Sequence, residues 1–351
     1  MTKIQLPISI PPVKCWQFSA YPLAVIGTDE RSWGWIFSNY IQVSIHERFA
    51  TAPVPFGFYE YDYACNPLLS VQRMDRDLFP LFRRGIVDFV KDCIGQGYSV
   101  YLNLNEYHVP SRMHYGVRNY SHDVLVYGFD EEQGVFDLLG YNERLMFGSS
   151  TISFTEFEQA YASLDTFPNP CRQIFLYRLN ERASYAFNID LVAESLEDYL
   201  YSRNTALKYQ LLAEPEDDLI FGLDSYSILR QFIEAQSANK NPWVDMRYMH
   251  MLWEHKHLMA LRVAYMTERG FIDTSRGLEG RFAQLEKTAE AARNSFIKFS
   301  RSRKPEHLTS IVGTVERMRE EERQLYDELL GSIRLRPNLS GDTAAERGVA
   351  G

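Results

Sequence analysis

Near residue 185 the spacing of apolar side chains changes, and that one change implies two kinds of architecture in a single chain. Upstream, apolar and polar residues alternate in short runs. Val100, Leu102 and Leu104 within Tyr98–Tyr107 have the period of a half-buried strand. Further strands are expected at Asp123–Phe129 and Gly134–Leu139, joined by a hairpin turn at 130–133, and at Gln173–Leu179. Helices are expected at Cys15–Ile26, Ser32–Arg48, Arg76–Ile94 and Phe154–Ser163, with an extended stretch at Thr51–Tyr63. Downstream the alternation disappears. Helical spacing predicts five helices, at Asp190–Ser202, Gly222–Gln236, Val244–Arg269, Leu278–Ser300 and Glu306–Leu330. The pattern therefore predicts an α+β domain over residues 1–182 and an all-helical domain over 188–331. A disordered tail is expected over 332–351, where Gly, Ala, Pro and charge prevail.

With 351 residues, 45% of them hydrophobic, the chain can bury a sizeable core. Its formal net charge of -9 opposes broad binding to nucleic acid, which needs a basic footprint. The first residues lack the apolar core of a signal peptide, and no apolar run approaches the roughly 20 residues that span a bilayer. A soluble cytoplasmic protein is expected. The four cysteines (Cys15, Cys65, Cys93 and Cys171) show no metal-ligand spacing and are expected to be reduced thiols.

Two of the residues point to chemistry. Cys15 follows Pro11-Pro12-Val13-Lys14, so a helix should begin close to its thiol. The positive end of a helix dipole favours thiolate. On its own Cys15 reads equally well as a buried structural cysteine. His122 opens the apolar run Asp123-Val124-Leu125-Val126-Tyr127-Gly128, where an imidazole can serve a thiol as general base; the plainer reading is a hydrogen-bonded surface histidine.

Together the two segments resemble papain-like cysteine proteases. Cys15-Trp16-Gln17-Phe18-Ser19 repeats the run that opens the central helix of those enzymes. His122-Asp123-Val124-Leu125-Val126-Tyr127-Gly128-Phe129 matches their catalytic strand, with Phe129 for a tyrosine. Taken with the order of elements, the chain is similar to the family of butirosin biosynthesis protein H, in which a papain-like domain precedes a helical one. It is also similar to the cysteine-protease-like amide-forming enzymes of nonribosomal peptide pathways, such as that of closthioamide biosynthesis. The resemblance implies a papain-like fold with Cys15 as acyl carrier and His122 as base. It also implies an acyl thioester delivered on the phosphopantetheine of a carrier protein, with an amine as acceptor. No other cofactor is implied. Oligomeric state is left open, a homodimer included.

The sequence departs from the family pattern in two places. No glutamine lies between Gln5 and Cys15, so the oxyanion donors fall to the Cys15 backbone N–H with Gln17 or Ser9. The acid or amide that orients the histidine belongs on the partner strand of the hairpin. There Asp137 is the nearest carboxylate and Asn142 the alternative; a Cys–His dyad without a third member is equally open. Between the helix and His122, the segment 103–112 offers a polar pocket wall: Glu106 for an amine, Tyr107, and Arg112 for a phosphate or carboxylate. For any one of these the favoured reading is an ordinary loop residue.

In the helical half, His250, Glu254 and His257 share one helix face. The glutamate that should follow the first histidine of a zinc-protease helix is missing, and no metal is expected. His255 falls on an apolar stripe and reads as a core histidine. The function expected is cysteine-dependent acyl transfer with amide formation in specialised-metabolite biosynthesis. The alternatives are a peptidase or thioesterase on similar substrates, and a papain-like scaffold without chemistry.

Overall fold

The structure, a computed structural model, describes residues 2–238 and 244–333. The chain divides into two compact units, Met1–Trp35 with Glu60–Ala186, and Ile36–Tyr59 with the residues from Phe187 onward. In chain order the first elements are β1 (Lys3–Gln5), α1 (Gln17–Ile26), α2 (Ser32–Ser38), β2 (Val43–His46), β3 (Phe56–Phe58) and β4 (Leu69–Asp75). Then come α3 (Ile86–Gly95), β5 (Ser99–Asn105), β6 (Ser121–Asp130), β7 (Val135–Tyr141), β8 (Phe147–Ser153), α4 (Phe154–Ala162) and β9 (Gln173–Leu179). The last are α5 (Ile189–Leu200), β10 (Leu219–Phe221), α6 (Ser225–Ala235), α7 (Arg247–Glu268), α8 (Leu278–Ser302) and α9 (Pro305–Ser332).

The first unit is mixed α and β. Its antiparallel sheet runs β4-β9-β5-β6-β7-β8. Along one edge β6 pairs with β5 from Ser121 to Val126, and β1 takes over the ladder from Gly128 to Asp130. All seven residues of β5 are buried, because the sheet is covered on both faces. Val100, Leu102 and Leu104 pack into a core with Val90 and Ile94 of α3 and Phe157 and Ala160 of α4. Tyr101 points the other way, onto Tyr21 of α1 (ring centroids 5.1 Å apart) and Phe175 of β9. The start of α4 is fixed by a capping box, Ser153 with Glu156.

Several boundaries differ from the expected ones. Helix α1 starts at Gln17 rather than Cys15, with Trp16 as an extended N-cap whose carbonyl accepts from Ala20 N–H. The helix expected over Ser32–Arg48 stops at Ser38, and Val43–His46 is a strand. Tyr40, with φ 49°, lies between them. The helix expected over Arg76–Ile94 is two pieces. A 3-10 turn (Arg76–Phe82) contains Pro80, Arg83 takes a left-handed φ of 52°, and α3 begins after Gly85. Strand β8 lies outside the expected strands, because Phe147-Gly148-Ser149-Ser150-Thr151 has no apolar alternation.

The second unit holds the five expected helices, α5 to α9, with ends within three residues of those expected. It is not all-helical. A small antiparallel sheet, β10-β2-β3, belongs to it, and with it the segment 36–59. Buried Arg262 of α7 donates to the carbonyls of Phe37 (2.8 Å), Asn39 (2.6 Å) and Tyr40 (3.0 Å). His255 of α7 contacts the Ile41 carbonyl at 2.9 Å and is buried, the core position its stripe implied. Also enclosed are Lys256 and Glu322, 2.7 Å apart, with the Tyr199 hydroxyl on the second Glu322 oxygen. Apart from Ser332 and Ile333, the tail expected at 332–351 lies outside the described residues. No helix among the described residues is long and apolar enough to cross a membrane.

Candidate functional site

The site gathers where β5 and β6 end beside the start of α1. Antiparallel register sets Leu104 opposite His122 and Asn105 opposite Ser121. The next residue, Glu106, opens a 3-10 turn (Glu106–His108) whose N-cap is Asn105. Glu106 N–H donates to the Tyr120 carbonyl, which fixes the turn against the strand. Its side chain, only 5% exposed as a residue, then reaches His122, with Oε1 2.6 Å from Nδ1.

The other ring nitrogen of His122 faces α1. Gln17 Nε2 lies 3.3 Å from His122 Nε2 and donates to the Asp123 carbonyl at 3.2 Å. Gln17 Oε1 accepts from Tyr141 N–H at 2.9 Å. A backbone acceptor on one side and a backbone donor on the other determine which way the carboxamide points. Its NH2 can only donate, so a neutral His122 accepts from it at Nε2 and carries its proton on Nδ1, toward Glu106. In that tautomer the lone pair is directed at the start of α1.

Burial pushes the Glu106 carboxyl up, but the hydrogen bond from His122, its charge, and then the charges of Arg112 and His114 outweigh that. The group ends below the ordinary carboxylate range. Arg112 itself is buried, and its Nη1 donates to the Tyr141 carbonyl.

Cys15 stands two residues before Gln17, across the extended Trp16, within about 7 Å of it along the backbone, and is 6% exposed. Burial raises the Cys93 thiol to about 11 and also raises that of Cys171, while Cys65 is exposed.

The remaining sequence-derived residues fall elsewhere. Asp137 is not the partner of His122. It pairs with Gly128, six residues along β6, which sets it about 20 Å from the histidine. Gly128 leaves room for that carboxylate: a Cβ there would lie 2.5 Å from Asp137 Oδ2. Asn142 closes a turn, with Oδ1 accepting from the N–H groups of Arg144 and Met146. Ser9 is no oxyanion donor to Cys15, since its N–H and hydroxyl both go to the Ala24 carbonyl, seven residues into α1. Tyr107 is 39% exposed and edges onto His108. Glu106, read as a contact for an amine, is instead committed to His122.

In the second unit His250 pairs with Glu254 (3.1 Å), whereas His257 turns to Glu286 (2.7 Å), so the three-residue helix face does not converge. Sequence spacing does not single out His46, Glu216 and Asp218, which meet only through the β2–β10 pairing. Their possible ligand atoms lie within 4.8 Å of one another. Arg48 Nε sits 3.1 Å from the Asp218 oxygen that faces His46, so a guanidinium already balances that carboxylate.

No family model matches this chain, and no curated protein matches it.

Proposed function

We propose that the first unit is a papain-like acyltransferase, in which Cys15 takes an acyl group from a carrier-protein thioester and passes it to an amine. The observation that carries this reading is the Glu106–His122–Gln17 arrangement, which leaves a basic nitrogen facing the start of the helix that Cys15 precedes. The helix after the cysteine, the antiparallel sheet and the histidine at the head of β6 support the papain-like part.

The steps follow from these groups. His122 Nε2 takes the Cys15 thiol proton, giving up the Gln17 contact, while Gln17 stays anchored by the Asp123 carbonyl and Tyr141 N–H. The thiolate adds to the thioester carbonyl. The carrier thiolate departs and takes the proton from the imidazolium, leaving acyl-Cys15. Thioester exchange is nearly balanced in free energy. The amine then attacks the acyl group and loses a proton to His122. The amide departs and Cys15 regains its thiol. Glu106 keeps the ring oriented and stabilises the imidazolium in both halves.

A second reading, a scaffold without chemistry, draws on the 6% exposure of Cys15 and on the Gln17 amide at the basic nitrogen. Incubation with an acyl N-acetylcysteamine thioester, read by intact mass with Cys15→Ala as control, separates the two. The transferase reading expects a Cys15-dependent acyl adduct that an added amine discharges to amide. Discharge by water alone indicates a thioesterase or peptidase, and no adduct leaves the scaffold.

A further inference from the structure

Tyr141, the last residue of β7, holds the chain on both sides of Cys15. Its hydroxyl donates to the Lys14 carbonyl at 2.8 Å, and its N–H donates to Gln17 Oε1 at 2.9 Å. Tyr141 is itself anchored from the sheet. Its carbonyl accepts from buried Arg112, and its ring stands edge-on to Phe147, its partner in the β7–β8 ladder, with centroids 5.3 Å apart. The helical ladder takes up the chain only at the Trp16 carbonyl, which accepts from Ala20 N–H. The peptide group before Cys15 therefore lies outside the helix, and a phenol from the sheet reaches it.

The Lys14 carbonyl and the Cys15 N–H belong to one peptide group. That group is trans and planar, so its N–H points opposite to its C=O. Holding the oxygen thus sets the direction of the N–H, away from the Tyr141 hydroxyl. Strength is affected as well as direction. A donor on a carbonyl oxygen draws electron density from the amide nitrogen, so the N–H of the same peptide becomes a better donor. An N–H in that state is suited to an oxygen that gains negative charge during reaction.

We propose that Tyr141 is a positioning residue: its hydroxyl aims and strengthens the Cys15 N–H, which receives the oxyanion formed when the Cys15 thiolate adds to a thioester carbonyl. The inference rests on the reading of Cys15 as the acyl carrier. As the new C–S bond forms, the carbonyl π pair moves onto the oxygen. It returns when the carrier thiolate leaves with the electrons of the old C–S bond. The N–H donates throughout and gives up no proton, and the Tyr141 hydroxyl stays on the Lys14 carbonyl.

Tyr141→Phe removes the hydroxyl and keeps the ring, and two readouts test it. The backbone nitrogen resonance of Cys15 responds to a hydrogen bond on the preceding carbonyl and needs no acyl chemistry; it should move upfield in the variant. Acylation of Cys15 by an acyl N-acetylcysteamine thioester, followed by intact mass, should slow by about tenfold, less than outright removal of an oxyanion donor costs. Alkylation by iodoacetamide forms no oxyanion and should stay within about twofold of wild type. Equal slowing of both reactions, the mark of a displaced cysteine, or an unmoved Cys15 resonance would overturn the proposal. If Tyr141→Phe fails to fold, 3-fluorotyrosine incorporated at position 141 decides. Its more acidic hydroxyl should move the resonance downfield, and an unmoved one refutes. A wild type that takes no acyl group sinks the acyl-carrier reading, while the resonance still decides whether Tyr141 governs the Cys15 N–H.

Discussion

His122 Nδ1 and Glu106 Oε1 face each other at 2.6 Å because adjacent antiparallel strands end together, one at Asn105 and the other beginning at Ser121. The bond decides which ring nitrogen is basic, and most of what can be tested about the site follows from it.

Glu106→Gln should lower the rate of Cys15 alkylation by at least about tenfold at neutral pH, since the amide orients the ring less well and does not stabilise an imidazolium. The pH dependence of stability supplies a second check. The folded carboxyl lies below its ordinary range, so its contribution is present above the unfolded value and is lost as pH falls through the folded one. The stability gap between wild type and Glu106→Gln should therefore narrow on acidification below about pH 4, as measured by urea unfolding.

Asp137→Asn should leave Cys15 reactivity within about twofold of wild type, since the carboxyl is a strand's length from His122. Burial raises the Asp137 carboxyl, so the folded state binds its proton more readily than the unfolded one does. Ionised Asp137 is then a burden that grows as pH rises through the unfolded value and is fully felt above the folded one. The asparagine variant should melt at an equal or higher temperature at pH 7, and that advantage should vanish near pH 3. A large loss of reactivity in this variant would restore Asp137 to the catalytic set.

Gln17→Ala removes the partner of the Tyr141 N–H and one of two donors to the Asp123 carbonyl, which keeps the Tyr21 hydroxyl. One backbone N–H left unpaired should cost about 1–3 kcal/mol, measured by denaturant unfolding. In Gln17→Met the bulk is kept, so a similar loss would show that hydrogen bonding rather than packing is responsible.

In the second unit, Lys256→Met should destabilise by about 3–5 kcal/mol because it strands Glu322 without its cation. Replacing both, as Lys256→Met with Glu322→Leu, should recover most of that loss. If the single variant is as stable as wild type, the pair is not holding α7 to α9.

Much of this architecture can be read from apolar spacing. Helices α5 to α9 stand where the period places them, since each has a continuous stripe to bury. The expectation fails where apolar residues are not buried. Leu78, Leu81 and Phe82 sit at helical spacing but are exposed on the 3-10 turn that Pro80 and Arg83 separate from α3. Strand β8 hides for the opposite reason, being a polar edge. At the site, Cys15, Gln17 and His122 are visible as motif residues. The partner of His122 is not, because Glu106 reaches it only through the β5–β6 register, whereas the hairpin to β7 directs attention to Asp137 and Asn142.

The membership of residues 36–59 in the second unit has a temporal consequence. During synthesis this stretch leaves the ribosome long before Leu219–Phe221, which pairs with β2, or Arg262, which holds the carbonyls of Phe37, Asn39 and Tyr40. Val43, Ile45 and Phe56 therefore wait without their core while well over a hundred further residues are translated, for about 10–30 s at ordinary elongation rates. Through that interval the nascent chain carries an apolar hairpin, β2 with β3, whose other edge waits for β10, a natural binding site for a chaperone.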